Sequence, residues 1–255
     1  MPRTFSLKGM EALKREELPA LRRSLKELPA RTRPRRRLEP GIGRIGVIAE
    51  IKKGSPSAGP IRAADPAAQA RLYAAGGARA LSVLTDGNFF SGSFEDLRHA
   101  AAACDLPVLC KEFVFFEEQI EAADLNGADM VLLIARTLSP ERLAELYRFT
   151  LDRGLLPLVE VHGREELPPV LDLDPGFLLV NTRNLETLVL DRPLALETLK
   201  ALPEGIEPVC ASGIGTSGDI REIRSAAKVN LFLIGTSLMR AGDPQAMIKE
   251  LCHVH

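Results

Sequence analysis

Several hallmarks of common functional classes are missing from this chain. Its four cysteines (Cys104, Cys110, Cys210, Cys252) show no CxxC spacing, which argues against zinc and against a disulfide framework. Its four histidines (His99, His162, His253, His255) form no HExxH pattern. His253 and His255 could catch a metal adventitiously, but a frayed tail accounts for them more simply. No apolar run approaches the length that spans a bilayer, and residues 1–10 lack the apolar stretch of a signal peptide. A formal net charge of -1 gives no global case for nucleic acid or for a membrane surface as partner. The expectation is a reduced, cytoplasmic, metal-free protein.

What remains is ordinary globular composition, 45% hydrophobic and 26% charged over 255 residues. A chain of this length buries a large core, and α/β barrels of this size are commonly one domain. Residues 10–28 carry Leu13, Leu18, Leu21, Leu25 and Leu28 among Lys, Arg and Glu, a spacing that predicts one or two amphipathic helices. Arg31, Arg33, Arg35, Arg36 and Arg37 follow around Pro34. That run reads as a solvated connector, or else as an electropositive rim near an anionic substrate.

From residue 45 a rhythm sets in. Short apolar runs at 45–51, 80–85, 107–113, 130–134, 156–161, 177–182, 208–212 and 230–235 read as buried strands. Helical patterns at 66–75, 117–126, 140–153, 193–201, 217–225 and 244–252 separate most of them. Asp65-Pro66, Ser139-Pro140 and Asp243-Pro244 resemble an N-cap followed by proline in the first turn. Eight strands alternating with helices predict parallel pairing, and eight closes a (β/α)8 TIM barrel. A doubly wound open sheet competes, but it usually has fewer strands, and no GxGxxG follows the first one. The expected division is a helical extension over residues 1–44 and a barrel over 45–255.

Polar residues gather where strands end. The first run ends in Glu50 and Lys52, which alternation puts on one face. The third puts Lys111 in line with Leu109 and Phe113, the fifth puts Glu160 in line with Leu158, and the sixth sets Asn181 and Arg183 two apart. Any one of these fits a surface charge or a structural ion pair. Four together favour a site at the carboxyl rim of a barrel. The last two strands instead run into Ser212, Gly213, Gly235 and Thr236. Glycines there let backbone N–H groups approach an anion, and Ser55 adds a hydroxyl from the first loop. Two tight turns would explain the same glycines. With Lys52, Lys111 and Arg183 nearby, the pattern suggests a substrate carrying a phosphate and a second anionic group.

The segments VIAEIKKGSPSAG, ALSVLTDGNFFSGS, LPVLCKEFVFFEEQI, GADMVLLIA, LLPLVEVH, VNTRNLETLVLD, ASGI and FLIGTSLM resemble, in order, those of the indole-3-glycerol phosphate synthase family. EIKKGSPS and NTRNLET are specific to that family among phosphate-binding barrels, while the segment before the first strand looks shortened. The resemblance implies ring closure, decarboxylation and dehydration of 1-(2-carboxyphenylamino)-1-deoxyribulose 5-phosphate, with no cofactor. It implies Lys111 as the acid on the substrate ketone, its pKa lowered by neighbouring cations. Lys52 would bind the leaving carboxylate, Glu160 act as base and Glu50 support the lysines. Asn181 and Arg183 would orient and hold the substrate, and Ser55, Ser212, Gly213, Gly235 and Thr236 would cradle its phosphate. The expected partner is that small phosphorylated anthranilate-derived molecule, and the expected state a monomer or weak homodimer.

One position departs from the pattern. The family places Glu before the serine of its SGI motif, and this chain has Ala211. Alternation points position 211 inward, so a site carboxylate is absent unless Glu50 or Glu112 fills in. Three rivals follow: a family barrel that binds phosphorylated ligands with weak or lost catalysis, the Cys/Asp isomerase of the preceding step, and nucleic-acid binding through the arginine run.

Overall fold

β-Branched and apolar runs bounded by polar turns become strands here because each can bury both faces. One face lies in a barrel interior and the other under a layer of helices. The computed structural model describes residues 5–56, 59–61 and 64–254; Ser57 and Ala58 of the first motif, and His255, lie outside them. Eight strands, β1 (Gly46–Ile51), β2 (Ala80–Leu84), β3 (Val108–Lys111), β4 (Met130–Ile134), β5 (Leu156–Val161), β6 (Phe177–Asn181), β7 (Glu207–Ala211) and β8 (Leu231–Ile234), pair in parallel in chain order. β1 closes on β8, with Gly46 opposite Leu231 and Ala49 opposite Ile234. This is the (β/α)8 barrel that the spacing predicts, with strand ends within two residues of expectation. The open doubly wound sheet is excluded.

Alternation divides the apolar residues cleanly. Ile48, Leu109, Met130, Leu132, Leu158, Leu179, Val209 and Leu231 fill the interior. Val47, Ala49, Ile51, Val83, Cys110, Val131 and Val159 face the outer helices. Those helices are α2 (Pro66–Ala75), α3 (Phe94–Ala102), α4 (Glu117–Leu125), α5 (Pro140–Asp152), α6 (Leu167–Leu171), α7 (Arg192–Lys200), α8 (Ser217–Ala227), α9 (Thr236–Arg240) and α10 (Pro244–Cys252), preceded by α1 (Met10–Glu27). The three N-caps behave as read: Asp65, Ser139 and Asp243 each accept backbone N–H groups of the following turn. Helix α3 falls outside the helical patterns read from the sequence; Ser93 accepts the Asp96 N–H at 3.1 Å and marks its start, and Leu97, Ala100 and Ala101 form its buried face. No helix among the described residues is long and apolar enough to cross a membrane.

The arginine run is neither a solvated connector nor a rim beside the substrate. Arg31 and Arg33 lie at the amino end of the barrel, 8% and 13% exposed, each 2.6 Å from one oxygen of Asp129. Asp129 immediately precedes β4 and also accepts the backbone N–H groups of Arg36 and Val108. Arg33 reaches the Ala101 and Leu106 carbonyls, and Arg35 pairs with Asp124. Guanidinium forks thus satisfy carbonyls left open at helix carboxyl ends. Only Arg37 of the run lacks such an anchor among the described contacts, and it is exposed.

Asp129→Ala removes the carboxylate that two buried guanidiniums share, leaving Arg33 with carbonyls alone and Arg31 with its longer 3.4 Å contact to Asp124. The expected cost is about 3 kcal/mol, the scale for breaking a buried ion pair, read as a lower urea midpoint. An unchanged midpoint would mean that the carbonyl contacts alone hold the segment.

Candidate active site

Eight parallel strands bring eight carboxyl ends to one rim, and side chains two residues apart at a strand end point the same way. A cavity of about 540 Å³ opens there. Its wall includes every residue singled out from the sequence: Glu50, Lys52, Lys111, Glu160, Asn181 and Arg183, with Ser55, Ser212, Gly213, Gly235 and Thr236. The strand-end residues therefore converge.

Their charges are paired. Lys52 Nζ lies 2.9 Å from Glu50 Oε1. Lys111 Nζ donates to Glu160 Oε2 at 3.3 Å. Asn181 Nδ2 donates to Glu160 Oε1 at 3.0 Å, and Asn181 Oδ1 in turn accepts the Arg183 backbone N–H at 3.0 Å. Arg183 Nη1 is held by the Leu188 carbonyl at 2.6 Å. Glu50 Oε2 is buried and has no hydrogen-bond partner among the described residues.

Burial alone would discharge these groups, but their neighbours outweigh it. Burial pulls Lys111 down, while Glu160 and Glu50 pull it up further, so its pKa stands above the ordinary lysine value. The expectation of a lowered pKa is corrected: the groups against Lys111 are carboxylates, not cations. Burial pushes Glu160 up, but Lys111, His162 and Asn181 together hold its carboxyl below the usual range. An ammonium and a carboxylate in contact are both kept charged.

The loops after β7 and β8 are built for close approach. Ser212 and Gly213 both have positive φ, 71° and 66°, and a left-handed serine is uncommon enough to mark a constrained turn. Thr182 Oγ1 donates to the Ser212 carbonyl at 2.9 Å, and Arg192 Nη2 to that of Gly213 at 2.7 Å. At Gly235 an added Cβ would stand 2.2 Å from Glu50 Oε1 and 3.2 Å from Glu50 Cβ, so a side chain there displaces the carboxylate.

Two features escape sequence reasoning. Phe5, Phe90 and Phe113 form an aromatic wall on the cavity, with Phe90 and Phe113 centroids 6.2 Å apart. Nothing in their local pattern distinguishes them from core. Lys14 of α1 is 2% exposed and reaches the same rim, 2.6 Å from Asp86 and 2.9 Å from Glu112. Its helical spacing hides it, since a lysine three residues from Glu17 reads as a surface pair. Burial pulls Lys14 down, and its two carboxylates outweigh that. Burial and Asp86 push Glu112 up against the pull of Lys14, because two carboxylates share one cation.

Ala211 points inward, as alternation requires. It is 2% exposed, borders the cavity, and lies opposite Asn181 and Leu233 on the flanking strands. Glu112 is not a substitute carboxylate: Lys14, Thr85 and the Phe113 N–H engage both its oxygens. Glu50 keeps one unengaged oxygen. Cys110 and Cys210 face the helices rather than the cavity, and burial pushes both thiols up to about 12. They offer nothing to a Cys/Asp isomerase.

With this geometry in hand, similarity to known proteins identifies the lineage. The chain is 46% identical over 210 residues to indole-3-glycerol phosphate synthase of Bordetella pertussis, covering 82% of this chain and 80% of that protein. It is 44% identical over 244 residues to the protein of the same name from Burkholderia multivorans, covering 91% and 93%. A solved thiamine phosphate pyrophosphorylase from Pyrococcus furiosus superposes with a TM-score of 0.59 at 16% identity, covering 81% of this chain and 93% of that one, a likeness of fold alone. The indole-3-glycerol phosphate synthase family model matches residues 8–251, and the chain belongs to that family.

Proposed function

We propose that the chain acts as an indole-3-glycerol phosphate synthase of tryptophan biosynthesis, with the Lys111–Glu160 pair as its acid and base. The observation that carries this reading is the 3.3 Å contact between them inside a cavity that also holds Lys52 and Arg183. The substrate, 1-(2-carboxyphenylamino)-1-deoxyribulose 5-phosphate, has three recognisable parts. Its benzene ring suits the Phe90–Phe113 wall. Its carboxylate suits Arg183 and Lys52, where a planar fork and a point charge complement an anion. Its phosphate suits the turn at Ser212 and Gly213, with Gly235, Thr236 and Ser55 opposite.

The steps then follow from charge. Lys111 donates a proton to the ketone oxygen as the ring carbon bearing the carboxylate bonds to the carbonyl carbon. Carbon dioxide leaves, the carbon–carbon bond electrons return to the ring, and Lys52 releases the product of that step. Loss of water, assisted by a lysine acid, and removal of a ring proton by Glu160 complete the indole. Acid and base tune each other: once Lys111 gives up its proton, Glu160 loses its cation and becomes the stronger base. Asn181 keeps Glu160 aimed throughout. The reaction is that of a carbon–carbon carboxy-lyase. We place the extension at 1–44 and the catalytic barrel at 45–255, in a cytoplasmic monomer or weak homodimer.

Indole fluorescence is expected to rise when the purified chain meets this substrate; saturable binding without fluorescence would instead indicate a ligand-binding barrel. Lys111→Met is expected to lower kcat by about 10²–10⁴-fold, the range for general acid catalysis, and wild-type turnover in that variant would remove Lys111 from the reaction. Ala211→Glu places a carboxylate between Asn181 and Leu233 and is expected to raise turnover about tenfold, equivalent to ~1.4 kcal/mol in the transition state. Unchanged steady-state kinetics would show that Glu50 already serves that purpose.

A further inference from the structure

A buried imidazole stands directly behind the base. His162 is 3% exposed, lies just past β5, and is not part of the cavity wall. Its Nε2 is 3.4 Å from Glu160 Oε1, and its Nδ1 is 3.7 Å from Glu166 Oε2. Neither ring nitrogen has a hydrogen-bond partner among the described residues. Glu166 is itself fixed, accepting Arg136 Nε at 2.8 Å on one oxygen and the His162 backbone N–H at 3.0 Å on the other. A row therefore runs outward from the cavity: Lys111 and Asn181, Glu160, His162, Glu166, Arg136.

A buried polar ring without hydrogen bonds is costly, and an apolar side chain would fill the same space without that cost. The ring instead stands between two carboxylates, its Nε2 at the long end of hydrogen-bonding range from Glu160 and its Nδ1 slightly beyond that range from Glu166. Hydrogen bonds that serve catalysis commonly tighten in the substrate complex. We propose that His162 is the positioning residue of Glu160, bracing Oε1 from behind while Glu166 and Arg136 hold the imidazole in place. This rests on Glu160 being the base. Every charged group that bears on Glu160 fits the arrangement: Lys111 from β3 in front, His162 behind, and Glu50 beyond Lys111 on β1.

The sign of the pH effect follows. His162 helps hold the Glu160 carboxyl below its ordinary range. A base works when ionised, so activity is lost as pH falls through its pKa. Removing the imidazole raises that pKa and moves the acidic limb of the kcat profile to higher pH.

The test uses the full chain with the substrate above and the fluorescence assay, comparing His162→Leu with His162→Gln. In His162→Leu, kcat is expected to fall about tenfold, a fraction of a full general-base effect, with KM within about twofold and the acidic limb raised by about half a pH unit. His162→Gln, which keeps a donor for Glu160, is expected to recover kcat to within about threefold of wild type while its limb stays raised. Wild-type kcat and an unmoved limb in His162→Leu would overturn the proposal, as would equal losses in both variants, which indicate packing alone. Should His162→Leu fail to fold, the limb of His162→Gln decides: raised supports the assignment, unmoved rejects it. Glu160→Gln separates the two readings, since full activity in that variant removes the base itself whatever His162 does.

Discussion

Burying a charge in a medium of low dielectric is tolerated only where a partner and hydrogen bonds replace water, and this requirement shapes both ends of the barrel. At the amino end, Asp129 collects Arg31 and Arg33 with two backbone N–H groups. At the carboxyl end, Glu50 meets Lys52, Glu160 meets Lys111, and Glu112 with Asp86 meets Lys14. The interior between them is apolar. The two ends nevertheless differ in kind. The lower cluster is closed, its carboxylate engaged on both oxygens. The upper one borders a cavity and keeps Glu50 Oε2 unengaged, which is the condition for a substrate to enter the network rather than merely abut it.

The barrel was legible because its signal is periodic and repeated. Eight apolar runs at strand length, spaced by capped helices, admit few topologies, and alternation then assigns each side chain to the interior or the helix layer. The convergence of Glu50, Lys111, Glu160 and Asn181 followed from that assignment without any knowledge of the structure. Ala211 was legible for the same reason, since its inward direction depends only on counting along β7.

Illegible were features that depend on long-range contact. The run at 31–37 carries five positive charges in seven residues and gives no local hint that Asp124 and Asp129, about a hundred positions later, will take most of them. Lys14 reads as helix surface until β3 delivers Glu112 beneath it. The electrostatics of Lys111 were misjudged because Lys52 and Arg183 share its rim, whereas the groups that set its pKa are the carboxylates of Glu160 and Glu50. Sequence reports which charges exist at the rim, whereas the sign of each pKa shift needs the pairing.

Closure of the cylinder carries a consequence for how the chain is made. β1 is held on one side by β2, but on the other by β8, with Gly46 against Leu231 and Phe232 against Val47. On a ribosome, synthesis runs from one end of the polypeptide to the other, so that second edge stays bare until nearly all the strands have emerged. An unpaired edge is a template for pairing with another chain, and such a sequence separation makes the last zippering step slow. The nascent half-cylinder therefore waits with that edge uncovered, because α9 and α10, which pack on β1 in the finished barrel, are also among the last elements to be made.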